Sequence, residues 1–291
     1  MNKSSLFILL LLASSAFAAN AQRKLAFERN DNWLWVSNLD GTGARKIVSG
    51  VDPSISPDGM KLAFNTEGSG PGRRIAVADL ATGNVTVFKD VPSDNCFGPV
   101  WSPDGAKLLF YILINHDWDI GLVNANGSNF RILKKAAPNN HSYFSACWMP
   151  DAHSLFCQDL ENLYRIGLDG EVLKQWSLRT LFPKGDMNSS SRMDVSPDGS
   201  TLLVEIDADE NPGREDWDGP PPEIWTMDLA TDKTARATSI FWWEPCWLTA
   251  NEFLCIGQGA REKQPSIYRV SIDGKTRKLL VKNAMNPSVS R

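Results

Sequence analysis

Apolar and polar residues alternate with a period of two through most of this chain, in runs of five to nine positions closed by turn residues. Six runs are alike: "WLWVSNLDG" from Trp33, "RIAVADLATG" from Arg74, "DIGLVNANG" from Asp119, "NLYRIGLDG" from Asn162, "EIWTMDLATD" from Glu223 and "SIYRVSIDG" from Ser266. Side chains of a strand point alternately to its two faces, so each run predicts a strand entering a hairpin turn of Asp, Asn, Thr or Gly. A short further strand follows, as in "NVTVF", "NFRIL" and "RKLLV".

A second phrase is interleaved with the first. It reads "PSISPDGMKLAF" from Pro53, "PVWSPDGAKLLF" from Pro99, "ACWMPDAHSLFC" from Ala146, "MDVSPDGSTLLV" from Met193 and, more worn, "PCWLTANEFLCI" from Pro245. Each predicts strand, turn, strand. In "S-P-D-G" proline presets φ at the first turn position, aspartate suits the second, and glycine takes the left-handed conformation that ends a type I turn with a bulge. The closing positions of the first series, Gly41, Gly83, Gly127, Gly170, Asp232 and Gly274, lie 42, 44, 43, 62 and 42 residues apart. Such a period marks a repeat architecture.

Six hairpins of one kind and five of the other leave one missing. The C-terminal "PSVSR" placed before "AQRKLAF" restores it, position for position with "PSISPDGMKLAF". The fold expected is therefore all-β, a six-bladed β-propeller of four-stranded blades, closed by the C-terminal strand joining the N-terminal blade. Sharing one blade between the two ends replaces free edges with a ladder of backbone hydrogen bonds.

The "WSPDG" and "K-L-x-F" phrases with the hairpin that follows resemble the WD-like repeat of TolB-type propellers, over essentially all of the chain after its first residues. That resemblance implies a propeller of the bacterial envelope that engages other envelope proteins. TolB-type proteins carry an α/β domain ahead of the propeller, whereas here the strand pattern begins at Lys24.

Residues 1–21 hold one cation, Lys3, an apolar run from Leu6 to Leu12, and small residues before Ala18 and Ala21. This reads as a cleaved secretory signal, too short in its apolar part for a bilayer, which needs about 20 apolar residues. Residues 22–291 then form one propeller domain, expected to be periplasmic or secreted and monomeric. Loss of Lys3 takes the formal net charge from −4 to −5. With no cluster of Lys and Arg, nothing points to nucleic acid or an anionic membrane. The five cysteines are expected as buried thiols, because Cys147 and Cys157, the pair flanking one hairpin, would be diagonal neighbours poorly placed for a disulfide.

In such a blade the connection from the preceding blade ends beside the central channel. Residues just before each inner strand therefore ring the channel mouth: Asp52; Asp94, Asn95 and Phe97; His141, Tyr143 and Phe144; Ser190 and Arg192; Trp242, Trp243 and Glu244; and Asn286. Of these, Asp94, Phe97, His141, Tyr143, Phe144, Arg192, Trp242, Trp243 and Glu244 are the expected binding set, a mixture of aromatic faces and charges suited to a protein, peptide or sugar. Trp242 and Trp243 are adjacent on an extended segment and so point to opposite sides, one of them at most to the mouth. Trp101, Trp148 and Trp247 share a register with Ile55, Val195 and Val289 and are expected in the core.

The long interval arises from two insertions, "RTLFPKGDMNSSSR" and "DADENPGREDWDGPPPE", both expected on the mouth face. Asp207, Asp209, Asn211, Glu215 and Asp218 are spaced somewhat like a calcium loop, but Pro212 stands where the sharp turn needs glycine and no glutamate closes the site. No cofactor is expected, with calcium the one ion the spacing brings to mind. The three histidines are scattered and there is no G-x-S-x-G elbow, so no catalytic residues are assigned. The expected function is an exported, non-catalytic protein- or peptide-binding module of the envelope. The alternative is a propeller enzyme acting on a small sugar acid, lactone or oligosaccharide with a divalent ion in the channel.

Overall fold

The structure is a computed structural model, and it describes residues 23–66, 72–134 and 142–291. The proposed signal segment and His141 lie outside the described residues. Apart from one turn of helix at Leu178–Leu181, the regular elements described are strands, and they form six separate antiparallel sheets.

Blade 1 runs from the channel outward as Met285–Val289, Lys24–Arg29, Trp33–Asn38 and Arg45–Ser49. Blade 2 is Val51–Ile55, Lys61–Asn65, Ile75–Asp79 and Val85–Val87; blade 3 is Cys96–Trp101, Lys107–Ile114, Asp117–Asn124 and Arg131–Lys134. Blade 4 is Phe144–Trp148, Ser154–Gln158, Asn162–Gly167 and Val172–Ser177. Blade 5 is Met193–Val195, Thr201–Ala208, Pro222–Asp228 and Thr234–Arg236, with Gly185–Asp186 paired onto the end of its long second strand. Blade 6 is Trp242–Thr249, Glu252–Gly257, Ser266–Ser271 and Arg277–Val281.

The C-terminal strand closes the ring as the repeat predicts, with Leu25 opposite Val289 just as Leu62 is opposite Ile55. The predicted turns also form. In three of them the serine hydroxyl donates to the aspartate two residues on, as Ser56 does to Asp58 and Ser102 to Asp104, both at 2.5 Å, and Ser196 to Asp198 at 2.6 Å. All six closing positions of the other hairpin series adopt left-handed φ, between 60° at Asp232 and 86° at Gly170.

A blade packs against a neighbour on each of its faces, so its inner strands are apolar on both sides. Lys24–Arg29 buries all four of its central residues, and Ser154–Gln158 all five. The core is accordingly divided into six clusters, one at each seam between blades. The seam between blades 6 and 1 joins Leu25, Phe27 and Val289 to Leu248, Leu254 and Ile256.

Three seams carry the same tie. The inner-strand tryptophan donates its indole N–H to a carbonyl of the preceding inner strand: Trp101 to Ser54 at 2.9 Å, Trp148 to Val100 at 3.2 Å and Trp247 to Asp194 at 3.0 Å. Side chains at that carbonyl's position also accept the next inner strand's amide. Ser288 receives Ile55, Ser54 receives Trp101 and Asp194 receives Trp247, at 3.0, 3.3 and 2.7 Å. These bonds satisfy backbone groups that the innermost strand has no sheet partner for.

Candidate functional site

Each inner strand meets the channel mouth at one position. In five blades that residue is left-handed: Asn286 (φ 53°), Asp52 (52°), Gly98 (57°), Ser145 (58°) and Glu244 (53°) in blades 1, 2, 3, 4 and 6; in blade 5 it is Arg192. The ladder slips there, as between Val51 and Ser54 or between Trp243 and Cys246. Each is a β-bulge, which leaves a residue unpaired and re-aims its side chain, here toward the mouth. Left-handed backbone is costly for a non-glycine residue, about 1 kcal/mol or more. A ring of such residues is a feature the surrounding structure must hold in place.

What holds it is a second ring, the fifth position of each second strand: Glu28, Asn65, Tyr111, Gln158, Glu205 and Ile256. Four of the five polar residues among them, all but Tyr111, are buried. Three of them reach to the next blade and accept amides the bulges leave unpaired, whereas Asn65 and Gln158 donate, Asn65 to the Cys96 carbonyl and Gln158 to Ser145 Oγ and the Asn188 carbonyl. Glu28 Oε2 receives the Asp52 amide at 3.2 Å, Tyr111 Oη the Ala146 amide at 2.5 Å, and Glu205 Oε2 the Glu244 amide at 2.9 Å. Glu244 in turn receives the Asn286 amide at 2.6 Å.

The charges collect on one side of this ring. Arg192 Nη2 donates to Asp52 Oδ1 at 2.8 Å and to Asn286 Oδ1 at 2.9 Å, while Asn286 Nδ2 donates to Glu28 Oε2 at 2.9 Å. Arg192 is enclosed by protein, yet 34% of its side chain still faces the channel, against 6% for Asp52. Burial disfavours the ionised form of the carboxylates here. It pushes Glu205 up to about 8 and Glu244 up to about 7, against the opposing pull of Arg192 and of the donated amides. Glu28 is raised for the same reason. Burial works against the charge of Arg192 too, but Asp52, Glu244, Tyr111 and Glu205 outweigh it and its pKa is raised. Below the mouth the channel encloses a cavity of about 130 Å³, lined in part by Pro53, Pro99, Pro245 and Pro287, with the Arg291–Asp194 ion pair (2.5 Å) at its far end.

An aromatic cluster flanks the charges. The blade 5 insertion lays Trp217 edge-on against Phe241 at 5.1 Å and Trp243 at 5.7 Å between ring centres. Arg214 sits over Phe241 at 4.5 Å and is held there by Asp216 and the Gln258 carbonyl. Phe241 itself is left-handed, at φ 71°, which is exceptional for so bulky a residue.

The expected binding residues separate into groups. Arg192 and Glu244 come together with Asp52 and Asn286, and Trp243 joins the aromatic cluster. Trp242 turns the other way: it packs on Gly257 and edge-on against Tyr268 at 5.0 Å, in the seam between blades 5 and 6, under Arg277. Tyr143 is withdrawn from the rim, 5% exposed and edge-on to Tyr164 in the seam between blades 3 and 4. Phe97 and Phe144 are half-buried, with Arg73 over the Phe97 ring at 4.8 Å, and Asp94 is exposed and removed from the charged side.

Sequence reasoning missed Glu28, Glu205, Tyr111 and the Trp217–Phe241 pair. The first three did leave a signal: aligned on "K-L-x-F", the next position is polar in five of six blades, at a site where an inner strand should be apolar. In the acidic insertion, Asn211 accepts its own loop's Gly213 amide and Asp207 accepts from Asn188. Among the described residues no three carboxylates, imidazoles or thiols are gathered as a metal ion requires.

The model of the TolB beta propeller domain matches residues 16–290, and the chain belongs to that family. Solved structures agree in fold. TolB from Acinetobacter baumannii superposes with a TM-score of 0.69 at 19% identity, over 92% of this chain and 66% of that one. A putative TolB from Agrobacterium tumefaciens gives 0.63 at 18% identity over 92% of both chains. A chain from a nidogen/laminin complex gives 0.68 at 10% identity, over 92% of this chain and 98% of its own. No curated protein matches the chain. Among the described residues no helix is long and apolar enough to cross a membrane.

Proposed function

We propose that this protein is an exported, non-catalytic propeller of the bacterial envelope that binds a protein or peptide at its channel mouth. The observation that carries the reading is the pairing, on one side of that mouth, of the Trp217–Phe241–Trp243 cluster with the half-buried network around Arg192. Aromatic rings beside a desolvated charge are the usual anchors of a protein interface. Membership of the TolB family supports it, as does the nidogen/laminin complex, where a propeller-like chain was solved with a protein partner.

The test is retention from envelope extract on immobilised protein. The wild type and a control carrying Arg269→Ala, whose residue pairs with Glu252 away from the mouth, should retain the same species. Trp243→Ala with Glu244→Ala should lose it. Unchanged retention by the double variant would remove the mouth from consideration.

A further inference from the structure

The amide-capping role described above requires only an acceptor, and a neutral one suffices. In blade 3 it is the Tyr111 hydroxyl, which takes the Ala146 amide at 2.5 Å. Carboxyl groups are therefore more than the scaffold needs, and they are unevenly placed. Glu205, Glu244, Glu28 and Asp52 come from blades 5, 6, 1 and 2, which are contiguous in the ring. The Trp217–Phe241–Trp243 cluster belongs to blades 5 and 6, on the same side.

Four carboxyl groups there face one guanidinium. Amide capping accounts for Oε2 of Glu28, Glu205 and Glu244, and Arg192 accounts for Oδ1 of Asp52. Asp52 Oδ2 is left over: the side chain is 6% exposed, and this oxygen has no hydrogen-bond partner. A buried carboxylate oxygen without a partner costs more than an ordinary unmade hydrogen bond, and a cation removes that cost.

We infer that the mouth selects a basic side chain, a lysine or arginine of the bound peptide, which enters beside Trp243 and sets its charged head among Glu244, Asp52 and Glu28. This deepens the proposed function and rests on it. A negatively biased side of the mouth with an aromatic ring beside it is complementary to one extended cationic side chain, whose stem lies on the ring while its head reaches the carboxylates. The groups facing Glu244 are Arg192, Asp52, Glu28 and Asn286, and those facing Glu205 are Glu244 and Arg192. An arriving cation favours the ionised carboxylates, so binding releases protons and strengthens as pH rises through the range where Glu244 and Glu205 titrate.

The experiment compares two acetylated, amidated peptides, Gly-Ser-Lys-Ser-Gly and its norleucine counterpart, by calorimetry on the full protein at pH 6.0, 7.0 and 8.5. The lysine peptide should bind about tenfold or more tightly than the norleucine peptide, a charge-assisted contact's worth. Its affinity should rise with pH, with protons released, and Glu244→Gln should narrow the gap. Equal binding of the two peptides, or binding of neither, would overturn the basic-side-chain inference. The mouth as a docking surface would still stand or fall on retention from extract, which does not depend on the sign of the ligand's charge.

Discussion

Lys24 and Ser290, 266 residues apart in sequence, hold each other as the two ends of a tight turn would. The Lys24 amide donates to Ser290 Oγ at 2.7 Å, and the Ser290 amide donates to the Lys24 carbonyl at 3.0 Å. Within an unbroken turn the same pair is Lys61 and Ser56, with both bonds at 2.9 Å. The break in the chain thus falls inside a turn whose hydrogen bonds survive it. Arg23 reinforces the join, donating to the Ser290 carbonyl at 2.8 Å and to Leu248 of blade 6 at 2.9 Å.

Removing residues 285–291 strips blade 1 of its inner strand and leaves Leu25 and Phe27 without cover at the seam with blade 6. The expected result is a large fall in melting temperature and an expanded hydrodynamic radius, because an exposed edge and an opened seam arise together. Ser290→Ala should cost about 1 kcal/mol, the net value of one intramolecular hydrogen bond. A truncated chain as compact and as heat-stable as the full one would contradict the closure.

Burial raises Glu205 to about 8 and Glu244 to about 7 in the folded protein, whereas in the unfolded chain both return to the ordinary glutamate range. The folded state therefore holds protons that the unfolded state releases. This stabilisation is complete below the unfolded value and is lost as pH rises through 7 to 8. Between those limits each group contributes a slope of up to about 1.4 kcal/mol per pH unit. Urea midpoints measured from pH 5 to pH 8.5 should fall across the range. Glu205→Gln, which keeps an oxygen for the Glu244 amide, should flatten the curve; an unchanged slope in that variant would show that the proton is held elsewhere.

The indole ties between blades can be separated from the bulk of the rings that make them. Trp247→Phe leaves the Asp194 carbonyl without its donor inside the seam and should cost about 1–3 kcal/mol beyond the lost ring volume. Trp35→Phe is the control, since the Trp35 indole N–H is buried without a hydrogen-bond partner. Denaturant titration of the two variants should show the larger loss for Trp247. Equal losses would mean that volume alone matters.

Gly98 is the one bulge position without a side chain. A Cβ there would lie 2.9 Å from Cε2 of Tyr111, on backbone at φ 57°. Gly98→Ala should destabilise by about 1–2 kcal/mol through left-handed strain, and should displace the Tyr111 ring from the Ala146 amide it caps. Chemical denaturation gives the first effect, and faster hydrogen exchange at Ala146 gives the second.

The blades were legible because what specifies them is local and repeated. Proline, aspartate and glycine at fixed offsets, between alternating strands, announce a turn three times over, two worn copies keep the spacing, and the unmatched "PSVSR" announces the closure. The charged side of the mouth was legible only in half. Asp52, Arg192, Glu244 and Asn286 stand directly before the repeated phrases of their inner strands and could be placed by counting. Glu28 and Glu205 lie within second strands, where alternation assigns a core position, and only the bulge in the adjoining blade turns that position into an acceptor for an orphaned amide. Trp217 was hidden for another reason: it sits in an insertion without a repeat to align, so nothing in its own segment indicates Phe241 and Trp243 as its neighbours.

The five cysteines offer a last test of packing. Cys96, Cys147, Cys157 and Cys255 are buried, and Cys246 is half-buried. Cys147 is opposite Phe156 in the ladder and packs with it in the seam between blades 4 and 5, whereas Cys157 points through the other face into the seam between blades 3 and 4, so the two are not the diagonal neighbours expected and both remain thiols. Burial pushes the Cys96 and Cys246 thiols up to about 12 and raises Cys147 and Cys255 as well, which leaves almost no thiolate at neutral pH. Since the thiolate is the nucleophile, Ellman's reagent at pH 8 should find the native protein nearly inert, with slow reaction confined to Cys246. In denaturant without reductant, protein purified from an oxidising compartment should yield all five thiols. A yield of three would reveal a disulfide and require the hairpin of blade 4 to pair in a register that brings Cys147 directly across from Cys157.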